Sequence, residues 1–460
     1  MLNQIIAQRV LEISLSKGGD FAELFLENTV RNGINMINGV VEKATSGVDF
    51  GCGIRIFNGN TAIYTYTNDI SEENLCLLAR EASQAIGSVN SSIVSEFKIS
   101  KIENIHNITK MPNSSLKSEA VNFLRMAAET SFAYDNLITQ TDGGYSDVIQ
   151  DVLIANSEGL WITDRRVRSR VSISAIASSG TEKQTGVSSP GASRGFELFD
   201  RIDVKALGTK SAECAVKMLK ADECPAGKMD VVISNGFGGV IFHEACGHSL
   251  EATCVAKNAS VFSGKIGEVI ASPVVTAIDD GTLPNEWGSI NIDDEGTKTQ
   301  RNVLIENGVL KSYLVDRFNG RKMNMKSTGS SRRQSYKFAP TSRMTNTFIA
   351  PGNDKVEDII RNTEYGLYAK TMGGGSVQPA TGEFNFAVRE SYIIRNGEIA
   401  EPVRGATLIG KGSEVLKNID RVADDLFQEQ GVCGSSSGAV PTNVGQPTIR
   451  VKDVTVGGRK

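Results

Sequence analysis

Two of the chain's three histidines lie within one short segment, GGVIFHEACGHSLEA, where His243 is followed by Glu244 and, five residues after the first imidazole, by His248. Two neutral imidazoles beside a carboxylate form a donor set suited to a divalent transition metal, zinc above all. With one further ligand, zinc keeps a fourth position for water and lowers that water's pKa towards about 7. Glu244 is offset around the helix from the first imidazole. It is the expected general base, taking the water's proton and passing it to a leaving amine. The implied chemistry is metal-assisted hydrolysis.

The spacing is HExxxH. On a regular helix, residues four apart lie about 40° apart around the axis, whereas residues five apart lie about 140° apart and cannot share a metal. The pair works only if one residue is absorbed, so a π-bulge is expected at Ala245–Gly247, with Gly247 permitting the distortion. Glu251 then falls on the same face as His243, as a third ligand or as a hydrogen-bond partner of a ligating imidazole. Cys433, in the Gly/Ser-rich GVCGSSSG, is the other candidate, read as an accessible thiol that a metal would deprotonate. Spacing does not choose between them. Cys246 and Cys254 read as packing residues, and His106 in ENIHNITK as a surface residue.

The elements that must position these residues follow from periodicity. Residues 2–13 repeat at helical spacing up to Gly18-Gly19. The runs AELFLENTV, GINMINGVVEKA, FGCGIRIF and TAIYTYT read as strands broken by Asn-Gly and Gly turns. Amphipathic helices are expected at 70–87, stopped by Gly87, at 115–135 and at 200–220. Strands resume between the last two. The segment ADECPAGKMD (221–230) reads as a linker. Beyond it come short strands, a Gly373-Gly374-Gly375 stretch expected to be a mobile loop, and one metal-site segment: strand Val231–Ser234, a turn at Asn235-Gly236, then a helix. The expected fold is α+β in two domains: a mixed N-terminal domain over 1–225 and a β-rich domain over 226–460.

Composition narrows the function. Forty per cent hydrophobic and 22% charged residues describe a globular chain, and a net charge of −4 gives no general attraction to nucleic acid or anionic membranes. The seven cysteines include no CxxC pair, which excludes ribbon and finger zinc sites, and Cys52, Cys76 and Cys214 read as small core residues with reduced thiols. No apolar run reaches a membrane span, and the N-terminus lacks the features of a secretion signal, so a cytoplasmic protein is expected. Other signals are set aside on chemistry. GATLIGKGS lacks the Ser or Thr that a phosphate loop needs after its lysine, and no convincing helix follows it. GFGG at 236–239 is a helix-entry turn and no dinucleotide fingerprint. Arg166, Arg168 and Arg170, with SSRRQSYK, could contact nucleic acid but suit a solvated face or peptide backbone better. Asp279-Asp280 and Asp293-Asp294-Glu295 suit turns and solvent, with a second metal, a catalytic dyad or capture of a peptide amine as the sharper readings.

Several motifs together carry a family resemblance: the metal segment, IDDGTLPNEWGSINIDDEGTKTQRNVLIENGVLKSYLVDR, SSRRQSY, RMTNTFI, VRGATLIGKGSEVL and VCGSSSGAVPTNVGQPTIRV. They resemble the TldD/PmbA family, in particular its catalytic TldD-type members, in order over most of 230–460. The resemblance implies a zinc-dependent peptidase of the cytoplasm, one Zn(2+) per chain, acting on peptides or unfolded proteins. It implies His243, His248 and Cys433 as ligands, Glu244 as base, and Glu251 behind a ligand. It further implies a dimer, either of this chain with itself or with a PmbA/TldE-type subunit that lacks the metal motif. The alternatives are a non-catalytic scaffold subunit of such a complex and a dipeptidyl-peptidase III-like exopeptidase. The latter shares the HExxGH spacing, but no second motif of that family is present.

Overall fold

The computed structural model describes residues 2–86, 92–115, 117–378 and 381–458. Helix Gln4–Leu15 opens the chain, with the Asn3 side chain accepting the Ile5 N–H as its cap. Its buried face of Ala7, Val10, Leu11 and Leu15 packs with Leu75, Ala79 and Ala82 of helix Glu72–Ile86. Gly87, the expected stop of that second helix, lies outside the described residues.

Both helices rest on an eight-stranded sheet built mostly from two long antiparallel hairpins, Phe21–Ile37 with Val40–Asn58 and Ile138–Asn156 with Leu160–Ser179. The four strand-like runs between residues 22 and 67 join into three strands. Asn32-Gly33 stays extended within the first, and the turn falls at Asn38-Gly39, where both φ angles are positive (51° and 77°). That geometry matches the twist of paired strands. Helices Lys117–Tyr134 and Val204–Lys220 cover the far part of this sheet through Leu124, Ala127, Ala212 and Ala215.

The rest of the chain forms a second eight-stranded sheet, a six-stranded sheet and a two-stranded pair of Ser331–Arg332 with Thr341–Ser342, and the architecture is α+β with a two-domain arrangement. The stretch expected to be a linker is partly sheet: Asp222–Glu223 pairs with Val403 and Arg404, and the next strand starts at Gly227. Gly373–Gly375 is no loop either. It lies inside strand Tyr365–Gln378, paired with Glu383–Arg395 across several register shifts. A Cβ on Gly375 would meet the Phe386 ring at 2.1 Å and the Asn385 carbonyl at 2.2 Å, so glycine there serves close strand approach.

A buried layer of arginines and carboxylates joins the N-terminal sheet to the later residues. Arg55 donates to Glu23 (2.9 Å) and Glu295 (2.6 Å), Arg333 to Glu23 (2.9 Å), and Arg166 to Asp164 (3.1 Å) and Asp294 (2.6 Å). Arg168 donates to the carbonyls of Trp287 and Ser289, and Arg170 to that of Gln430. The basic cluster and the acidic triplet expected at the surface therefore face each other in the interior. Asp279 is likewise buried, accepting from the Thr345 N–H and from the hydroxyls of Thr345 and Thr347. His106 is buried too, and its Nδ1 accepts the Asn285 N–H. Among the described residues, no helix is long and apolar enough to cross a membrane.

Candidate metal centre

Strand Gly227–Ile233 runs between Tyr365–Gln378 and Ile449–Gly457 and delivers the chain into the core. A tight entry follows, with Gly236 at φ 73° and a 3₁₀ turn over Gly236–Gly239. A Cβ on Gly239 would lie 2.4–2.6 Å from the backbone of Gly445, so this glycine lets the turn lie flat on strand Gly438–Gln446. Helix Val240–Ala245 then buries Val240, Ile241, Phe242 and Ala245 and carries His243 and Glu244.

The expected π-bulge is absent. The α-helix stops at Ala245, Cys246 leaves helical space (φ −130°, ψ −48°), and a 3₁₀ turn over Gly247–Leu250 carries His248. The hydrogen bonds mark the change: Cys246 N–H still reaches Phe242 four residues back, whereas Ser249 N–H reaches Cys246 three back. A break followed by a tighter turn solves the angular problem that a bulge would have solved. Gly247 is not the distorted residue. It leaves room for Met344, whose sulfur would lie 2.3 Å from a Cβ there.

This path brings the two imidazoles together, with ring centroids 5.1 Å apart and planes at 84°. Both Nε2 atoms stand 3.2 Å from the Cys433 sulfur, and the three donor atoms lie within 4.8 Å of one another. Cys433 sits on strand Phe427–Ser435, opposite Val440, and is 6% exposed. The accessible loop thiol expected from its neighbours is thus a buried strand residue; only the flanking residues are open. Burial alone would raise its pKa, but His243 and His248 bring it down to about 3. His248 shows the same coupling: burial disfavours its charged form, yet Glu251 and Cys433 hold its pKa well above the ordinary range.

Glu251 stands behind His248, with Oε1 3.2 Å from Nδ1 and 3.9 Å from Arg343 Nε. Glu244 lies on the other side. Its Oε2 is 3.8 Å from His248 Nε2, and its side chain is 26% exposed. It is the acidic group of the site that meets solvent.

The donor set fits zinc. Around a tetrahedral ion with bonds of about 2.0 Å to nitrogen and 2.3 Å to sulfur, N···S separations are about 3.5 Å, and the observed pairs are within a few tenths of that. His243 turns Nε2 to the sulfur while its buried Nδ1 has no hydrogen-bond partner among the described residues. Asp279, Asp280, Asp293, Asp294, Cys246 and Cys254 contribute no donor atom to this group.

Two contributors have no signal in the motif itself. Arg343 and Met344 lie in RMTNTFI, one donating to the Cys433 carbonyl, the other filling the space beside Gly247. GATLIGKGS also has a place. Contrary to expectation a helix, Gly412–Asn418, does follow its strand. A Cβ on Gly412 would meet the Ala245 carbonyl at 2.0 Å, so that glycine seats the helix against the end of the metal-site helix.

Family models match most of the chain in three parts: PmbA/TldA metallopeptidase domain 1 over residues 22–86, the central domain over 112–219, and the C-terminal domain over 226–458. A metalloprotease TldD homolog of Haemophilus influenzae is 35% identical, covering 98% of this chain and 95% of its own. One from Buchnera aphidicola is 36% identical over 99% and 97%. A metalloprotease of Methanothermobacter thermautotrophicus is 33% identical over 95% and 96%. Among solved structures, a protein of Thermotoga maritima described as a modulator of a DNA gyrase superposes with a TM-score of 0.79 at 21% identity, over 99% of this chain and 100% of that one. TldE from Thermococcus kodakarensis does so at 0.77 and 18%, over 98% and 100%.

Proposed function

The chain belongs to the PmbA/TldD metallopeptidase family, and from that premise we propose that it is a zinc-dependent peptidase whose metal is held by His243, His248 and Cys433. The observation that carries the reading is the convergence of two imidazole nitrogens on one buried sulfur, 3.2 Å from each. Bound there, zinc would polarise a scissile carbonyl and acidify water towards a pKa of about 7. Glu244 is the general base: solvent reaches it, and it flanks the donor set without entering it. It takes the proton of the attacking water and returns it to the leaving amine. Glu251 orients His248 from behind, as carboxylates commonly do for ligating imidazoles.

The substrate is an extended peptide or an unfolded segment. The Cys433 strand stands at the edge of the six-stranded sheet, with Val432 59% exposed. Arg170 and the Trp287 indole take the carbonyls of Gln430 and Gly431, but the exposed edge from Val432 onward, beside the donor set, suits main-chain pairing with any unfolded sequence. We assign the metallopeptidase unit to residues 226–460 and the supporting unit to 1–225. The enzyme works inside the cell, as a homodimer or with a PmbA/TldE-type subunit. Arg166, Arg168 and Arg333 are committed to buried carboxylates and carbonyls, which leaves these arginines unavailable for nucleic acid.

Metal analysis separates this reading from a non-catalytic scaffold. Full-length protein purified without chelators should carry close to one zinc per chain and lose it on His243→Ala. A wild-type chain that takes up no zinc would favour the scaffold.

A further inference from the structure

We propose that Arg343 is a positioning residue for the metal centre: its guanidinium ties the Cys433 hairpin to Glu251 and thereby fixes the separation of the thiolate from the His248 imidazole. The inference rests on the zinc reading of the site, and it concerns a residue that touches none of the three donor atoms.

Arg343 is fully buried, and it is the largest such side chain among the described residues. Nη2 donates to the carbonyl of Cys433 itself. Nη1 donates to the Ser437 hydroxyl at 3.0 Å and to the Gly438 carbonyl at 2.8 Å. Three acceptors spread over the tip of one hairpin thus converge on one planar fork, a geometry that guanidinium matches and an ammonium does not. On its remaining edge, Nε lies 3.9 Å from Glu251 Oε1, the oxygen that stands 3.2 Å from His248 Nδ1. Neither Arg343 Nε nor Glu251 Oε1 has a hydrogen-bond partner among the described residues. Their charges therefore face each other in a buried setting, where such a pair is little screened. The guanidinium spans from the backbone of one candidate ligand to the carboxylate behind another.

The next residue acts on the same centre from the other side. Met344 is fully buried against Gly247, in the turn that presents His248. Its carbonyl accepts from Arg332 Nη1, and the Thr345 N–H that follows is held by Asp279. The stretch 343–345 is therefore anchored independently of the metal, so Arg343 can act as a fixed reference for two separate parts of the site: a hairpin tip and a broken helix. Outer-shell groups of this kind commonly contribute about 10–100-fold to metal affinity.

The test is zinc affinity by chelator competition on the full-length chain, for wild type, Arg343→Lys and Glu251→Gln, with the sulfur-to-metal charge-transfer band of the cobalt-loaded forms as a second readout. Arg343→Lys should bind zinc about 10–100-fold more weakly and shift the cobalt band. In combination with Glu251→Gln it should add less than the sum of the two losses, because both changes break one linkage. A folded Arg343→Lys with wild-type affinity and an unchanged band would overturn the proposal. If that variant does not fold, Ser437→Ala removes one acceptor of the fork and carries the same test: a several-fold loss supports the proposal, and wild-type affinity overturns it. A wild-type chain that binds neither metal would instead remove the zinc reading, and this inference with it.

Discussion

Cys433 and His248 are 185 residues apart in sequence, yet Sγ of one lies 3.2 Å from Nε2 of the other. No local element holds them there. One sits on the edge strand of a sheet, the other on a 3₁₀ turn after a broken helix, and the sheets between them set the distance. Cys433→Ser keeps the volume but replaces a soft thiolate with a poor zinc donor. Zinc affinity should fall by more than the about 10–100-fold typical of outer-shell changes, with apo stability little altered, as read by chelator competition and urea unfolding. Unchanged affinity would remove Cys433 from the ligand set.

Gly247 separates two explanations of the motif's odd spacing. If it were needed for backbone freedom, alanine would be harmful whatever its neighbours. Its close contact is with Met344, so Gly247→Ala should destabilise by about 1–3 kcal/mol through overpacking. Combining it with Met344→Ala should restore much of that loss. Thermal unfolding of the single and double variants gives the answer, and a double variant no better than Gly247→Ala alone would contradict it.

The buried ion layer between the N-terminal sheet and the later residues should act as a lock. Arg55 is 2% exposed and serves both Glu23 and Glu295. Arg55→Met leaves the buried Glu295 without its arginine, and removing one partner of a buried pair costs about 3–5 kcal/mol. Urea unfolding followed by tryptophan fluorescence should show that loss. A change below about 1 kcal/mol would mean that the layer behaves like surface pairs.

His106 gives the fold a pH dependence away from the metal centre. Burial, reinforced by Arg168, holds its pKa down to about 4, against 6.5 for a free imidazole. Between those values the unfolded chain binds a proton that the folded chain does not. Stability is therefore lost as pH falls from 6.5 towards 4, by up to about 3 kcal/mol. His106→Gln, which retains an acceptor for the Asn285 N–H, should flatten that part of the urea-stability profile. An equally steep decline in the variant would assign it to other groups.

Sequence patterns revealed the helices and the metal segment because these depend on local periodicity and on scarce residue types. Helix Val204–Lys220 falls within the range expected from its apolar repeat. The conflict between HExxxH and a regular helix was also visible, and it announced a distortion at the right residues. Its form was not visible: the 3₁₀ turn after the break at Cys246 packs at Gly247 against Met344, far along the chain. The same distance effect misplaced Cys433, His106 and the acidic triplet. Polar residues in polar stretches read as surface, yet here their partners come from another sheet and bury them. Arg343 was illegible for the same reason, since its three acceptors on the hairpin lie about ninety residues away.

Glu244 separates an enzyme from a chain that merely holds a metal. The direct measurement is cleavage of an unfolded peptide by the zinc-loaded full-length protein beside Glu244→Ala, with the zinc content of both determined. The variant should retain its zinc and lose at least the about 10²–10⁴-fold of activity that general-base catalysis contributes. Equal cleavage rates at equal zinc content would contradict that role.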